Sequence, residues 1–312
     1  MEPLLVTIAG PTASGKTSLA LELAGMFHND GLEAEIICAD SVTVYRGLEI
    51  GAAKPTAAER ARVPHHLLDV ADPKGSFTAG DFTRLAAPII ERLQSEGKVP
   101  ILCGGTGFYI RALLRGMASG EEDPEQAARI KADLEARAAA EGFGGLYDEL
   151  VRQDPNSVRT VHPNDHYRIV RALQAMALHG RLWSELNQEA KATAPKFPGL
   201  RFFALDVERE ELNRRIALRT KKMLSDGLLA EVEGLLAAGV PPEAKPLQSV
   251  GYAEAVACLQ GRIQKPELGP EIEKNTRRLA KSQVTWFRGE TLSEWLKAPH
   301  RENLFSALGL AQ

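Results

Sequence analysis

The residues Gly10-Pro-Thr-Ala-Ser-Gly-Lys-Thr17 have the spacing of a Walker A loop. Six small or flexible positions (Gly10, Pro11, Thr12, Ala13, Ser14 and Gly15) let backbone N–H groups turn inward around phosphate oxygens. A helix starting at the loop adds its positive dipole end. Lys16 brings a mobile cation, and Thr17 offers a hydroxyl to a Mg2+ ion. The pattern announces a phosphate. It does not say which phosphate compound, or whether phosphate is the group that moves. A nucleotide hydrolase usually places an acid at the end of a second apolar strand, to hold the metal. Here the apolar run Val99-Pro-Ile-Leu-Cys103 leads into Gly104-Gly-Thr-Gly107, without an acid. The strand-end acid on offer is Asp40, which follows Glu35-Ile-Ile-Cys-Ala39. It suits three roles: metal ligand, turn cap or general base.

Other residues carry weaker signals. The second glycine loop suggests close approach of backbone to a ligand, with Thr106 as a polar contact. His65-His66 could hold a metal, but adjacent histidines on a strand point to opposite faces, which favours a structural role. Lys274, Arg277, Arg278, Lys281 and Arg288 form a basic run with no acid among them, interleaved with Gln283, Trp286 and Phe287. Charge combined with aromatic rings suits RNA, which is gripped by phosphate contacts and stacking. A second basic concentration holds Arg209, Arg214, Arg215, Arg219, Lys221 and Lys222.

The elements that must carry these residues alternate in type. Leu4 to Ala9 is a short apolar run ending at the phosphate loop, and Thr17 to Met26 follows at helical period. Glu35–Ala39 and Val99–Cys103 are further strands, with a helix expected from Tyr109 to Leu114. The alternation predicts an α/β fold: a P-loop NTPase-like parallel sheet with flanking helices, whose ligand sits at the carboxyl ends of the strands. All three motifs fall at such ends, so they should share one site. From about Ser119 to Ala192 strand runs disappear, and alanine, arginine and glutamate dominate. The reading is an all-helical inserted domain over 119–192, between a first core part (1–118) and a continuation with C-terminal helices (193–312). Asp123 and Pro163-Asn-Asp165 should start helices, and Gly144-Gly145 should break one. Leu200–Asp206 returns to strand character. Glycine and proline predict loops at Gly239–Pro242 and from Lys265 to Pro270.

Composition sets outer limits. The 312 residues are 44% apolar and 25% charged, ordinary for a soluble globular protein with a sizeable core. No apolar run reaches the roughly 20 residues of a membrane helix. The N-terminus has no signal-peptide pattern, and three scattered cysteines argue against a disulfide framework or a cysteine zinc site. A cytoplasmic, monomeric protein without membrane partners is expected. A net charge of −3 leaves room for a local basic patch only.

At this point the motifs resemble a known family, the tRNA dimethylallyltransferases of bacterial type. The resemblance rests on Gly10–Thr17, Ala39-Asp-Ser41, Tyr45-Arg-Gly47, Ile50-Gly51, Ala53-Lys-Pro55 and Pro64-His-His-Leu-Leu-Asp69. It continues through Phe77, Asp81-Phe82, Gly104–Tyr109, His162-Pro-Asn-Asp165 and Arg168–Leu173. It ends with Val250-Gly-Tyr252, Thr276–Lys281, Gln283 and Thr285-Trp286, and spans Val6 to about Arg288. The resemblance implies transfer of a five-carbon allyl group from dimethylallyl diphosphate to N6 of the adenine on the 3′ side of the anticodon. The loop would then hold a diphosphate leaving group in a site of nucleotide-binding (ATP-binding) pattern, with Mg2+ beside Thr17. Asp40 would be the base, and Lys16, Thr17 and Arg219 would serve the departing diphosphate, with Arg215 a weaker candidate. Asp40, Ser41, Val42, Thr43, Thr106, Tyr167, Arg168, Arg171, Gln248, Gly251, Tyr252, Lys281, Gln283 and Arg288 match tRNA-contacting segments, the insert gripping the anticodon stem. Tyr167 stands where the family usually has glutamine, and Ser282 where arginine is usual. Cys38, where small residues are common, reads as packing.

Three rival readings remain. An adenylate isopentenyltransferase would use the same donor and a free nucleotide, but would need neither the insert nor the basic C-terminal segment. A small-molecule P-loop kinase would transfer phosphate. A non-catalytic tRNA-binding module would keep the loop only for folding.

Overall fold

The computed structural model describes residues 3–116 and 123–310. The chain divides into two contact units: residues 1–113 with 197–312, and residues 114–196. The boundary expected at 118–119 lies outside the described residues.

The first unit is built on six parallel strands in the order β3-β2-β4-β1-β5-β6. They are β1 (Leu5–Ala9), β2 (Ala34–Cys38), β3 (His65–His66), β4 (Val99–Gly104), β5 (Leu200–Leu205) and β6 (Glu294–Leu296). All residues of β1, β2 and β4 are buried. Strands covered on both faces read as continuous apolar runs, which is why these three were visible in the sequence. β3 and β6 are too short for a pattern. Helices α1 (Lys16–Asn29), α2 (Ala57–Arg62), α3 (Ala79–Ser95) and α4 (Gly107–Arg115) connect the first strands. Both α2 and α3 open with a capping box, Thr56 with Glu59 and Thr78 with Asp81. Each box satisfies two N–H groups at the helix start.

The second unit holds α5 (Pro124–Glu141), α6 (Phe143–Gln153), α7 (His166–His179) and α8 (Trp183–Ala192). It has its own apolar cluster, including Leu134, Leu146, Leu150, Ile169 and Leu173. Asp123 and Asp165 cap α5 and α7 through the N–H groups of Glu125 and Arg168. The break expected at Gly144-Gly145 falls instead at Gly142, whose φ of +82° separates α5 from α6. Gly144 and Gly145 lie inside the first turn of α6.

The chain then returns through β5 to α9 (Arg209–Ser225), α10 (Leu228–Ala237), α11 (Tyr252–Leu259), α12 (Lys265–Arg288) and, after β6, α13 (His300–Leu308). The loop expected at Lys265–Pro270 is the beginning of α12. Pro266 sits in the first turn, where its missing N–H costs nothing, and Gln264 with Glu267 forms a capping box. Proline there marks a helix start, not a loop.

The ends of β2 and β4 approach closely. They pair through Cys38 and Cys103, and the Ala39 N–H donates to Cys103 O at 2.8 Å. A Cβ built on Gly104 would lie 2.0 Å from Ala39 O. Gly104→Ala must therefore push two strand ends apart in a packed sheet. It should lower the free energy of unfolding by about 3 kcal/mol, measured by urea denaturation.

Candidate active site

The phosphate loop turns between β1 and α1. The Lys16 Nζ donates to Pro11 O at 2.7 Å, so the ammonium folds back over its own loop. Two arginines of α9 reach in from the side. Arg219 Nη1 donates to Thr12 Oγ1 at 3.1 Å, and Arg215 Nη1 donates to Ser14 O at 3.2 Å. Both arginines are four residues apart on one helix face, and both touch the loop directly. The Ser14 hydroxyl is buried without a partner among the described residues.

Asp40 begins the turn after β2. Its Oδ1 accepts the N–H groups of Val42 (2.8 Å) and Thr43 (3.3 Å). Of the roles open to Asp40, capping is thus filled by one oxygen. The other has no protein donor among the described residues. Thr106 faces this turn: its Oγ1 accepts the Ser41 N–H at 2.9 Å, and its N–H donates to Ala39 O at 3.2 Å. One side chain ties the two glycine loops together. Gln283 of α12 accepts the Thr12 N–H at 2.8 Å and donates to Gly105 O at 3.0 Å. Sequence reasoning placed Gln283 against RNA. In the structure its amide bridges two loops of the chain, one of them 271 residues away in sequence, a link that no local pattern could reveal.

Between these elements lies a cavity of about 100 Å³. Lys16, Thr17, Asp40 and Arg219 line it, with a floor of Ala20, Ile36, Cys38 and Cys103. Two polar atoms of its lining, Thr43 Oγ1 and His65 Nε2, are buried without partners among the described residues. The Val63 carbonyl accepts from His65 Nδ1 at 2.7 Å, which fixes the tautomer and leaves Nε2 as an acceptor. His66 pairs with Glu35 at 2.6 Å, so the two rings serve different neighbours. Burial pushes the Lys16 ammonium down to about 8, opposed by the attraction of Asp40, and lowers Arg219 as well. Burial raises the thiols of Cys38 and Cys103, the latter to about 11, so both stay protonated packing groups. Among the described residues no group of three or more histidine, cysteine, aspartate or glutamate side chains could hold a metal. A cation here would need a ligand's own oxygens beside the Thr17 hydroxyl.

The remaining predicted residues fall in several places. Lys281 and Arg288 are exposed on α12 and form no ion pair among the described residues. Lys274 and Arg277 are neutralised by Glu271 and Glu273 one turn earlier, just outside the acid-free run. Trp286 is covered by Arg111, whose guanidinium carbon lies 4.3 Å from the ring centre. Gln248 donates to Pro242 O, and Gly251 opens α11 at φ +95°. Tyr252 is fully buried, its hydroxyl donating to Glu231 and accepting the Ala52 N–H. Tyr167, Arg168 and Arg171 stand on α7 of the helical unit. Tyr167 is 74% exposed, Arg168 pairs with Asp165 at 2.6 Å, and Arg171 donates to Gln174.

Comparison with known proteins decides the family. Residues 43–290 match the model of the family described as IPP transferase. The chain belongs to the IPP transferase family. Its relatives include a tRNA dimethylallyltransferase 1 of Trichlorobacter lovleyi, 46% identical over 96% of this chain and 95% of the relative. A tRNA dimethylallyltransferase of Geobacter sulfurreducens is 41% identical over 98% and 96%. Among solved structures, the tRNA isopentenylpyrophosphate transferase of Bacillus halodurans is 34% identical, with a TM-score of 0.69 over 99% of this chain and 97% of that one. A eukaryotic dimethylallyltransferase acting on tRNA is 27% identical, with a TM-score of 0.76 over 94% and 73%. The α/β architecture is therefore that of solved IPP transferases. Among the described residues no helix is long and apolar enough to cross a membrane.

The lowered Lys16 sets a pH dependence for this IPP transferase. Between about 8 and the ordinary 10.5 the lysine is mostly neutral in the protein alone. A bound polyphosphate favours the ammonium form and draws a proton back. Titration with inorganic diphosphate at about pH 9, by calorimetry in two buffers, should show more proton uptake for the wild type than for Lys16→Met, the difference fading below about pH 7.

Proposed function

We propose that the protein transfers a dimethylallyl group from dimethylallyl diphosphate to N6 of the adenine adjacent to the anticodon on its 3′ side in tRNA, releasing diphosphate. The observation that carries this reading is Asp40. It holds its turn with one carboxylate oxygen and keeps the other undonated, in the cavity that Lys16, Thr17 and Arg219 also line.

The chemistry follows from that layout. An aryl amine is a poor nucleophile, because its lone pair is delocalised into the ring. As N6 attacks C1 of the allyl group, the new C–N bond forms and the C1–O bond breaks. The N6 proton passes to Asp40, a general base. The electron pair of the broken bond leaves with the diphosphate. Loop N–H groups, Lys16 and Arg219 stand where that charge gathers, fixed before the reaction begins. Thr17 offers a hard oxygen that suits Mg2+, which when bound would add positive charge against the same leaving group. The absence of an acid after β4 fits a loop that holds a departing diphosphate. The adenine must leave its stack to reach the cavity, at a cost of a few kcal/mol that is least in an unpaired loop. Exposed Lys281, Arg288, Tyr167 and Arg168 supply charge and a stacking face for the RNA.

The direct test is incubation with radiolabelled dimethylallyl diphosphate and unmodified tRNA, with and without Mg2+. Label should appear in tRNA. Label in AMP and none in tRNA would favour an adenylate isopentenyltransferase, and ADP formed from ATP would favour a kinase. Asp40 itself separates its two tasks. Asp40→Asn keeps an oxygen that can accept the Val42 and Thr43 N–H groups, but removes the base. Transfer should fall by about 10²- to 10⁴-fold, with the melting temperature and tRNA affinity nearly unchanged. Asp40→Ala should lose transfer and also destabilise the turn, by about 1 kcal/mol.

A further inference from the structure

One wall of the cavity is the segment Ala52 to Pro55, and its support comes from two residues that do not line the cavity. Ala52, Ala53 and Pro55 line the cavity beside Lys16, Thr17 and Asp40. Ala53 and Pro55 also face the outer side of the phosphate loop, near Arg215 and Arg219. The segment is not a relaxed turn. Ala53 has φ +49°, a left-handed conformation costly for a residue with a Cβ.

Four consecutive N–H groups of this segment are held by one polar pair, Glu231 and Tyr252. Glu231 Oε2 accepts from Glu49 N (2.9 Å) and Ile50 N (2.7 Å), and Oε1 accepts from Gly51 N at 3.3 Å. The next N–H, that of Ala52, donates to the Tyr252 hydroxyl at 3.1 Å, and that hydroxyl donates to Glu231 Oε1 at 2.7 Å. Successive N–H groups turned to one side form an anion-binding concavity. Here the protein supplies the anion from its own α10. The fit is tight. A Cβ on Gly51 would lie 2.5 Å from the Tyr252 ring, and that ring is fully buried. Lys54 locks the far end, its ammonium donating to Tyr45 O (2.9 Å), to Glu49 (2.8 Å) and to Asp69.

We infer that Glu231, with Tyr252 as its relay, is a positioning residue for the diphosphate donor: it holds the 49–53 backbone as the wall facing the phosphate loop, and so sets donor affinity without touching the donor. The inference rests on the reading of the cavity as a diphosphate site. A Gln at 231 keeps the shape but presents an NH2 group to N–H donors, and Tyr252→Phe removes only the relay hydroxyl.

The test uses the full chain with inorganic diphosphate as probe, so it needs no prenyl transfer. Glu231→Gln should weaken diphosphate binding by about tenfold, and Tyr252→Phe by a smaller factor in the same direction. In both variants the amides of residues 49–52 should exchange hydrogen faster, while those of β1 and β4 keep wild-type protection. Steady-state kinetics should show the donor KM raised, with kcat and the tRNA KM within about twofold of wild type. Unchanged diphosphate affinity overturns the inference. So does weakened affinity accompanied by faster exchange in β1 and β4, which would make Glu231 a general stabiliser. If wild type binds diphosphate but transfers no allyl group, the proposed function fails and the positioning role stands.

Discussion

The site depends on how closely two strand ends can meet. At the carboxyl edge of the sheet, Ala39 O lies where a Cβ of residue 104 would stand, and the two backbones touch because that residue is glycine. Everything polar is referenced to this contact. Thr106 uses its N–H to hold Ala39 and its hydroxyl to hold Ser41, which brackets Asp40 between two fixed points. Gln283 then joins the same glycine loop to the phosphate loop. Asp40 and the phosphate loop are thus related by short hydrogen bonds through Thr106 and the Gln283 amide. Preorganisation of that kind costs nothing at the moment of reaction.

Charge is placed with similar economy. Burial disfavours the charged forms of both Lys16 and Arg219. Positive charge in such a cavity is held at a cost that an incoming anion relieves, and relieves further as a leaving diphosphate gathers charge. Interactions that strengthen toward the transition state are the ones that raise rate. The surface cations behave differently. Several on α12 are neutralised by acids a turn away, and exposed pairs of this kind contribute little free energy. Lys281 and Arg288 on that helix form no ion pair among the described residues.

Local chemistry was readable from the chain, and long-range chemistry was not. The phosphate loop, the three buried strands and the helix starts at Asp123 and Asp165 each write their structure within a few residues. Asp40 was legible as a strand-end acid with capping among its roles. The split between its two oxygens needed coordinates. Gln283 and Tyr252 show the limit. Each lies in a segment that matched nucleic-acid contacts, yet one spends its amide on two loops far away in sequence and the other is sealed inside the core. Glu231 was invisible for the opposite reason: on an amphipathic helix a glutamate looks like a solvated face, and nothing in α10 announces three partners near residue 50 and a fourth at Tyr252. Proline misled at Lys265–Pro270: Pro266 marks a helix start, because the first turn of a helix does not use its N–H, and Pro270 lies inside the helix.

The helical unit begins and ends at nearly the same point. Lys196 donates its N–H to Leu114 O at 2.7 Å, so the outgoing and returning chains are clasped together by backbone. Seen from α4 and β5, a long excursion closes like a single tight turn. Loop-closure entropy grows only slowly with length once the ends are fixed, so the size of the excursion weighs little on the folding of its host. A clasp of this kind makes the unit a cassette, which could be shortened, exchanged or lost while β1, β4 and their glycine loops keep their register.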